Sequence, residues 1–426
     1  MDSLPADIQS ITAAQLEQAY RLDPVQFRSW FDGVYQHNSQ SLLLQAWQAR
    51  LSFDDRAQHF YTENTSPANV SKSDNSLLLY VVLISVLVWA IAKLPDFIAI
   101  DGQWFYPRFI PFLVIAALLV YFNISRAIEK VQLLISIGGI TVVLLVLLLL
   151  PDRPGSDSIT MALIHNPFVM LSLLGIIFCG GHWRESSARL QYIRYGGELL
   201  IFTALILLGG AVLTALSLGL FDLIGIPINE WFFDYVVVLG AMSAPLIATW
   251  LWDQVMNRDS KLASVIANVF SPLFLLLTVA YLLALLGQQR SAFNDREFLI
   301  IFNALLLVVW GITVFSVTGR TDKNSRLLDL TNLSLVLVTL VIDAIALTAI
   351  MYRLFQFGIT PNRIALSGAN LLIFVHLVWI FFEYLKAFQR KSGTEVIKTT
   401  IGRYLPVYSL WSIFVVAGLP LLFGFN

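Results

Sequence analysis

Charged residues are scarce in this chain of 426 residues. Asp, Glu, Lys and Arg together make up 13% of it, whereas soluble domains carry about 25%. Hydrophobic residues make up 57% of the chain. This small number of charged residues cannot cover the surface of a soluble protein of this length. A soluble enzyme is therefore excluded. The high apolar content excludes intrinsic disorder for the opposite reason, because disordered chains are poor in such residues.

Cysteine and the familiar catalytic motifs are missing as well. Cys179 is the single cysteine, so no disulfide can form within the chain. The sequence contains no HExxH, phosphate-loop, GxGxxG or GxSxG motif. The 27 basic and 28 acidic residues balance, which is not typical of a nucleic-acid-binding protein. We therefore predict no cofactor, no metal and no nucleic acid partner, and an enzymatic activity is not favoured.

Long apolar runs are abundant instead. A helix needs about 20 apolar residues to cross the hydrocarbon core of a bilayer. Runs of about this length occur at 76–94, 104–122, 131–150, 159–180, 197–220, 230–252, 263–287, 297–319, 328–352, 364–388 and 405–424. They are continuous rather than alternating, which favours helices over the strands of a barrel. These eleven runs predict an all-α, polytopic transmembrane helical bundle.

Basic residues are distributed unevenly between the connections. If the first 75 residues are cytoplasmic, the inner segments hold 20 Lys and Arg and the outer segments hold 7. Cytoplasmic loops of membrane proteins carry this excess of positive charge. We therefore predict a cytoplasmic N-terminus and, after eleven spans, a C-terminus outside.

The segment before the first span has the pattern of a small helical domain. We divide the chain into this N-terminal cytosolic domain at 1–61, a polar linker at 62–75 and a membrane domain at 76–426. Asp23-Pro24 is a helix start, with Asp as the cap and Pro in the first turn. Apolar stripes follow at helical spacing: Phe27, Trp30, Phe31 and Val34, then Leu44, Trp47 and Leu51. Either these helices pack on one another, or a partner protein or the membrane surface completes their small core.

Ionisable groups inside the predicted spans mark a candidate site, because such groups are costly in lipid. Asp343 lies in span nine, and Asn370 and His376 lie in span ten. The rise of a helix puts Asp343 about 15 Å below Arg353, at a depth between Asn370 and His376. Two interpretations follow. The site binds a substrate head group, a cation or a proton, or Asp343 bonds to Asn370 or His376 and holds two helices together.

The connection between spans nine and ten has the features of a tight turn. Gly358 permits a positive φ and can end a helix. Pro361 restricts Thr360 to extended geometry and can begin the next helix. Arg353 and Arg363 flank this turn. They could bind an anionic group such as a lipid phosphate, or bond to carbonyls and nearby acids as a clamp.

The same stretch carries a motif. Tyr352-Arg353 is followed by Phe357-Gly358-Ile359-Thr360-x-Asn362-Arg363, which resembles the R…YGlTxNR signature of the DUF4153 family of bacterial multi-pass membrane proteins. Phe357 stands where the family often has Tyr. The resemblance covers spans nine and ten and, by hydrophobic pattern, the rest. It implies a protein of the bacterial cytoplasmic (inner) membrane and a special role for this outer loop, but it carries over no activity.

These features combine into a functional prediction. We expect transport or lipid handling through a polar site between spans nine and ten, with membrane lipids as partners. Asp343, Asn370 and His376 would form the site, with Arg353 and Arg363 at its outer mouth. Gly358, Thr360, Pro361 and Asn362 would build the structural turn. The alternative is a non-catalytic membrane scaffold or signalling component whose N-terminal domain binds a cytosolic protein. A membrane enzyme acting on a lipid or glycan is least favoured.

Overall fold

Helices make up nearly all of the structure. The computed structural model describes residues 12–22, 27, 30, 31, 33–35, 38, 41–51, 74–126, 130–224, 226, 228–287, 296–319, 326–390 and 395–426. No β-strand occurs among these residues, so the predicted all-α class is confirmed. The chain divides into two compact units, Met1–Ser71 and Lys72–Asn426. The predicted helix start at Asp23-Pro24 and residues 62–73 of the predicted linker lie outside the described residues.

The first unit has a core of its own. Helix α1 is Ala13–Leu22, helix α2 covers 42–51, and the described residues at 27–35 are helical. The buried core is rich in aromatic rings and consists of Leu16, Phe27, Phe31, Leu44, Trp47 and Leu51. Arg50 pairs with Glu17 and lies over the Trp47 ring, 4.7 Å from its centroid. These helices therefore pack on one another.

The second unit contains eleven longer helices in its described residues. They are α3 (Asp74–Ala92), α4 (Gly102–Ser125), α5 (Lys130–Leu149), α6 (Asp157–Cys179), α7 (Ser186–Leu223), α8 (229–255), α9 (Leu262–Gly287), α10 (Arg296–Thr318), α11 (Arg326–Phe357), α12 (Pro361–Arg390) and α13 (395–422). Helix α8 joins Asn229–Trp231, Phe232–Val237, Val238–Trp250 and Leu251–Val255, the second and fourth of these being π-helical. Helix α13 joins Glu395–Ile413, the π-helical Phe414–Gly418 and Leu419–Leu422.

Ten of these helices, α4 to α13, are long and apolar enough to cross a membrane. The protein is therefore a multi-pass integral membrane protein. The first predicted span differs, because the apolar part of α3, Ser76–Ala92, is shorter than the others. Its run ends at Lys93, and Pro95 then lies in the first turn of a separate short helix, Leu94–Phe97.

The membrane helices pack in two groups. Helices α3 to α8 surround the larger core, where aromatic rings contact one another across helices. The Tyr195 ring of α7 lies 5.3 Å from Phe122, 5.1 Å from Phe178 and 5.0 Å from Trp252. Helices α9 to α12 form smaller clusters among themselves. Helix α13 contacts α6, α7 and α12 and so joins the two groups.

Candidate functional site

Asp343 lies in the middle of α11, the helix that packs against α9, α10 and α12. The residue is 2% exposed. Both carboxylate oxygens are buried, and neither has a hydrogen-bond partner among the described residues. On the same stretch of α11, Ile342 and Ala346 pack against Phe302 of α10. The carboxyl group is thus enclosed in a largely apolar part of the bundle.

Asn370 bonds to Asn303 of α10 and not to Asp343. It is 3% exposed on α12, and its Nδ2 donates to the Oδ1 of Asn303 on α10 at 2.6 Å. Because hydrogen-bonded amides in an apolar interior hold helices together, this pair joins α10 to α12.

His376 lies in a box of aromatic rings. It is 1% exposed, and its ring stacks on that of Tyr404 with the centroids 4.3 Å apart. The Nδ1 atom accepts from Trp310 Nε1 at 3.2 Å and lies 2.9 Å from the Tyr408 hydroxyl. Since the indole N–H is a donor and never an acceptor, we assign the ring proton to Nε2. That atom has no hydrogen-bond partner among the described residues.

The three predicted intramembrane residues therefore belong to three separate sets. Ile342 and Ala346, on either side of Asp343 in the chain, pack against α9 and α10, Asn370 bonds to α10, and His376 bonds to α10 and α13. A bond from Asp343 to either of the other two is not among the hydrogen bonds of the described residues.

The turn between α11 and α12 has the geometry that its residues predict. Gly358 follows the end of α11 with a φ of +78°. Helix α12 begins at Pro361, and the Thr360 hydroxyl accepts from the Arg363 amide at 3.3 Å. The Nη1 atom of Arg363 donates to the carbonyls of Phe357 at 2.7 Å and Gly358 at 2.6 Å. Arg363 therefore caps the end of α11, as in the clamp interpretation.

The second arginine of the turn behaves differently. Arg353 lies one turn before the end of α11 and is half-buried. Among the described residues it makes no hydrogen bond or ion pair, whereas Arg363 is bonded to the backbone. Asn362, the remaining turn residue, is half-buried in the first turn of α12. The two guanidinium groups therefore do not share one partner.

A buried ionic cluster lies at the end of α8, and the apolar runs of the sequence did not predict it. Asp253 is 4% exposed and accepts from Arg258 Nε at 2.5 Å, the Tyr121 hydroxyl at 2.9 Å and Gln254 Nε2 at 2.9 Å. Burial and, to a lesser degree, the positive charge of Arg258 lower the pKa of the nearby Arg126 to about 10, so Arg126 stays charged at neutral pH. The sequence signal was an acid at the end of a span with a base five residues later.

A second polar network joins three helices. The Ser271 hydroxyl of α9 donates to Asn332 Oδ1 of α11 at 2.5 Å. The Asn332 Nδ2 atom donates to the Ser316 hydroxyl of α10 at 2.7 Å. That hydroxyl donates to Asn268 Oδ1 of α9 at 2.6 Å. These four side chains link α9, α10 and α11 on the side of the bundle where α11 begins.

The described residues contain no group of three or more His, Cys, Asp or Glu that could hold a metal ion. No protein-family model, curated protein or solved structure matches this chain. The resemblance to the DUF4153 family, the bacterial membrane and the cytosolic protein partner therefore stay predictions.

Proposed function

We propose that this integral membrane protein is a proton-linked transporter in which the Asp343 carboxyl group takes up and releases a proton. One observation carries the proposal. Both oxygens of Asp343 are buried without a hydrogen-bond partner among the described residues. An ionised carboxylate without compensation costs several kcal/mol in such a place. A protonated carboxyl group is neutral, so it can stay buried at much lower cost.

Burial also distinguishes between the ligands that the sequence leaves open. A cation needs several oxygen ligands around it, and a lipid head group needs a pocket. Asp343 is 2% exposed, and the amides of Asn370 and Asn303 are bonded to each other. A proton requires neither additional ligands nor volume. A proton is therefore the ligand that this geometry favours.

The position of α11 supports a role in transport. Helix α11 contacts α9, α10 and α12, so a shift of α11 that follows a change of charge at Asp343 would alter the packing of three neighbouring helices. Ionisable residues that face the interior of a helical bundle mark ion pathways and proton relays in many membrane proteins.

A chemical test needs no knowledge of the substrate. Dicyclohexylcarbodiimide enters membranes and modifies protonated carboxyl groups in apolar surroundings. We expect mass spectrometry of the treated protein to find the adduct on Asp343, with less adduct as the pH rises. The matched control is Glu383, a buried carboxylate on α12 that pairs with Lys386 at 2.9 Å and should react far less. An adduct on Glu383 with none on Asp343 would contradict the proposal.

A flux measurement tests the function itself. The purified protein is reconstituted into liposomes that contain a pH-sensitive dye, and an outward potassium gradient with valinomycin drives proton entry. We expect the wild type and Glu383→Gln to carry protons and Asp343→Asn to carry none. Flux through Asp343→Asn equal to that of an active wild type would show that Asp343 takes no part in proton movement, and a wild type that carries no protons would also contradict the proposal.

A further inference from the structure

A surface groove lies near the start of α11, on the side of the bundle opposite the Gly358 turn. It has a volume of about 460 Å³ and is formed by α9 and the first turns of α11. Most of its lining is apolar, but Asn268 of α9 and Thr331 of α11 are exceptions. In the predicted orientation, the groove opens on the cytoplasmic side.

The polar network of α9, α10 and α11 begins at this groove. Asn268 lines the groove, and its Oδ1 accepts from Ser316, which in turn accepts from Asn332. Both Ser316 and Asn332 are 0% exposed. A chain of hydrogen-bonding groups thus runs from the groove into the interior of the bundle.

Buried polar groups continue from this network towards Asp343. Asn332, Thr339 and Asp343 are spaced by seven and four residues, which puts them on one face of α11. The helical rise separates them by about 10 Å and about 6 Å. Thr313 lies about one turn of α10 from Ser316. The side-chain oxygens of Thr313, Thr339 and Asp343 have no hydrogen-bond partner among the described residues.

Holding helices together accounts for only part of this row. Asn268, Ser316 and Asn332 are bonded to one another across helices, as side chains that join helices are. Thr313 and Thr339 are 0% and 1% exposed and bond to none of them. Buried polar atoms without partners are rare in folded proteins and call for an explanation such as ordered water.

We infer that this row of side chains is the path by which protons travel between the groove and Asp343, with water molecules bridging the gaps. The inference rests on the proposed function. The steps between successive groups exceed the length of a hydrogen bond, so bridging water is required. The proton moves over bridging water and the hydroxyl groups of Ser316, Thr313 and Thr339, where one O–H bond breaks as the next forms, while the amides of Asn268 and Asn332 hold the Ser316 hydroxyl in place by hydrogen bonds. A proton from groove water ends on the Asp343 carboxylate, and the reverse sequence releases it.

Thiol labelling tests access to the path. In a Cys179→Ser background, Thr339→Cys is treated with silver ion, a thiol-reactive cation small enough to follow a chain of water molecules. The matched control is Thr348→Cys, because Thr348 lies on the exposed side of the same helix, with its hydroxyl bonded to the Ala344 carbonyl at 2.7 Å. We expect at least about tenfold faster labelling at position 339, since thiolates form in water and not in apolar surroundings.

The side of labelling is a second readout. Lys261 is exposed immediately before α9, at the same end of the bundle as the groove. We expect the reagent to reach Thr339→Cys from the side on which it reaches Lys261→Cys. Labelling of Asn268→Cys without Thr339→Cys would mean that water stops at the groove, and this would overturn the path.

Flux through hydroxyl-deleted variants completes the test. Thr339→Val and Thr313→Val keep the side-chain shape and remove the hydroxyl. We expect each to lower proton flux by about tenfold, the effect of losing one hydrogen bond along the route. Thr348→Val should match the wild type. The two positions lie on different helices, so one poorly folding variant does not end the test.

The outcomes separate the path from the function. If Asp343→Asn abolishes flux while Thr339→Val and Thr313→Val carry protons at the wild-type rate, the proposed function holds and the path is wrong. If Asp343→Asn carries protons normally, both proposals fail.

Discussion

Two aspartates in the membrane helices are buried to nearly the same degree, yet their oxygens have different surroundings. Asp253 is 4% exposed and accepts hydrogen bonds from Arg258, Tyr121 and Gln254. Asp343 is 2% exposed, and its oxygens accept no hydrogen bond from the described residues. A buried carboxylate is tolerated when donors and a positive partner compensate for lost water. Asp253 therefore stabilises the fold, whereas ionised Asp343 would destabilise it.

This difference predicts unequal effects on stability for the same substitution at the two positions. Asp253→Asn should lower the free energy of unfolding by about 2 kcal/mol, less than the 3–5 kcal/mol of a fully buried pair, because the Arg258 side chain is 29% exposed. Asp343→Asn should leave stability unchanged, since Asp343 makes no hydrogen bond or ion pair with the described residues. Thermal unfolding in detergent, followed by tryptophan fluorescence, measures both. A larger loss at Asp343 would indicate that it holds helices together.

At the scale of the element, the connection from α11 to α12 is specified by a few local contacts. Gly358 adopts a left-handed conformation, and Arg363 bonds to the last carbonyls of α11. Helix α12 starts at Pro361, and the hydroxyl of the preceding Thr360 caps this helix by accepting from the Arg363 amide. The turn thus sets how two of the central helices meet.

Substitution at Gly358 tests this turn. Gly358→Ala should cost about 1–2 kcal/mol, because a Cβ atom is strained in the left-handed conformation. Gly209→Ala is the matched control, since a Cβ atom there meets nothing within 4 Å in the interior of α7. That control should be neutral or stabilising. The melting temperatures of the two variants measure this difference in stability. An equal effect at both positions would contradict the role of the turn.

Helix α13 contacts α7 through a residue without a side chain. A Cβ atom on Gly402 would overlap the backbone carbonyl of Ser186 at the start of α7. Backbone atoms cannot rotate away as a side chain can, so the helices must separate. We expect Gly402→Ala to lower stability by about 1–3 kcal/mol, while Gly210→Ala, which has open space around it, does not. Unchanged thermal unfolding of Gly402→Ala would mean that the two helices separate easily.

At the scale of the whole molecule, α3 decides the sidedness of the chain. Its 19 residues span about 28 Å, close to the 30 Å of a bilayer core. We therefore expect α3 to cross the membrane together with the ten longer helices. This odd number would leave the two chain ends in different compartments.

Reporter fusions test that topology. A fluorescent reporter that matures in the cytoplasm should be active on the N-terminus, and alkaline phosphatase should be active after Asn426. If both ends report the same compartment, α3 does not cross, and the groove described above would open on the other side.

The two units of the chain should also be separable. The membrane unit builds its core from its own residues, so residues 72–426 should fold, and proton flux should match that of the full chain. Size-exclusion chromatography and the liposome assay measure both. A folded membrane unit that carries no protons would favour the alternative in which the N-terminal unit takes part in function.

The sequence by itself was sufficient for features that depend on nearby residues. Apolar runs identified ten of the long helices, because the energy of burying a span in lipid depends on its composition. Gly358 and Pro361 identified the turn, because restrictions on φ act on single residues. The first residue of α7 was harder to predict from the sequence. Its apolar run begins at 197, but the helix begins at Ser186, since the buried rings of Tyr192 and Tyr195 pack in the core.

Tertiary structure decided which polar groups meet. The helical rise gave the depth of Asp343, Asn370 and His376, and depth alone made contact between them plausible. In the structure Asn370 bonds to Asn303 and His376 bonds to Trp310, partners 67 and 66 residues away in the sequence. The physical reason is that depth follows from position along one helix. The neighbour at that depth depends on how several helices rotate and pack, which is set by the whole bundle.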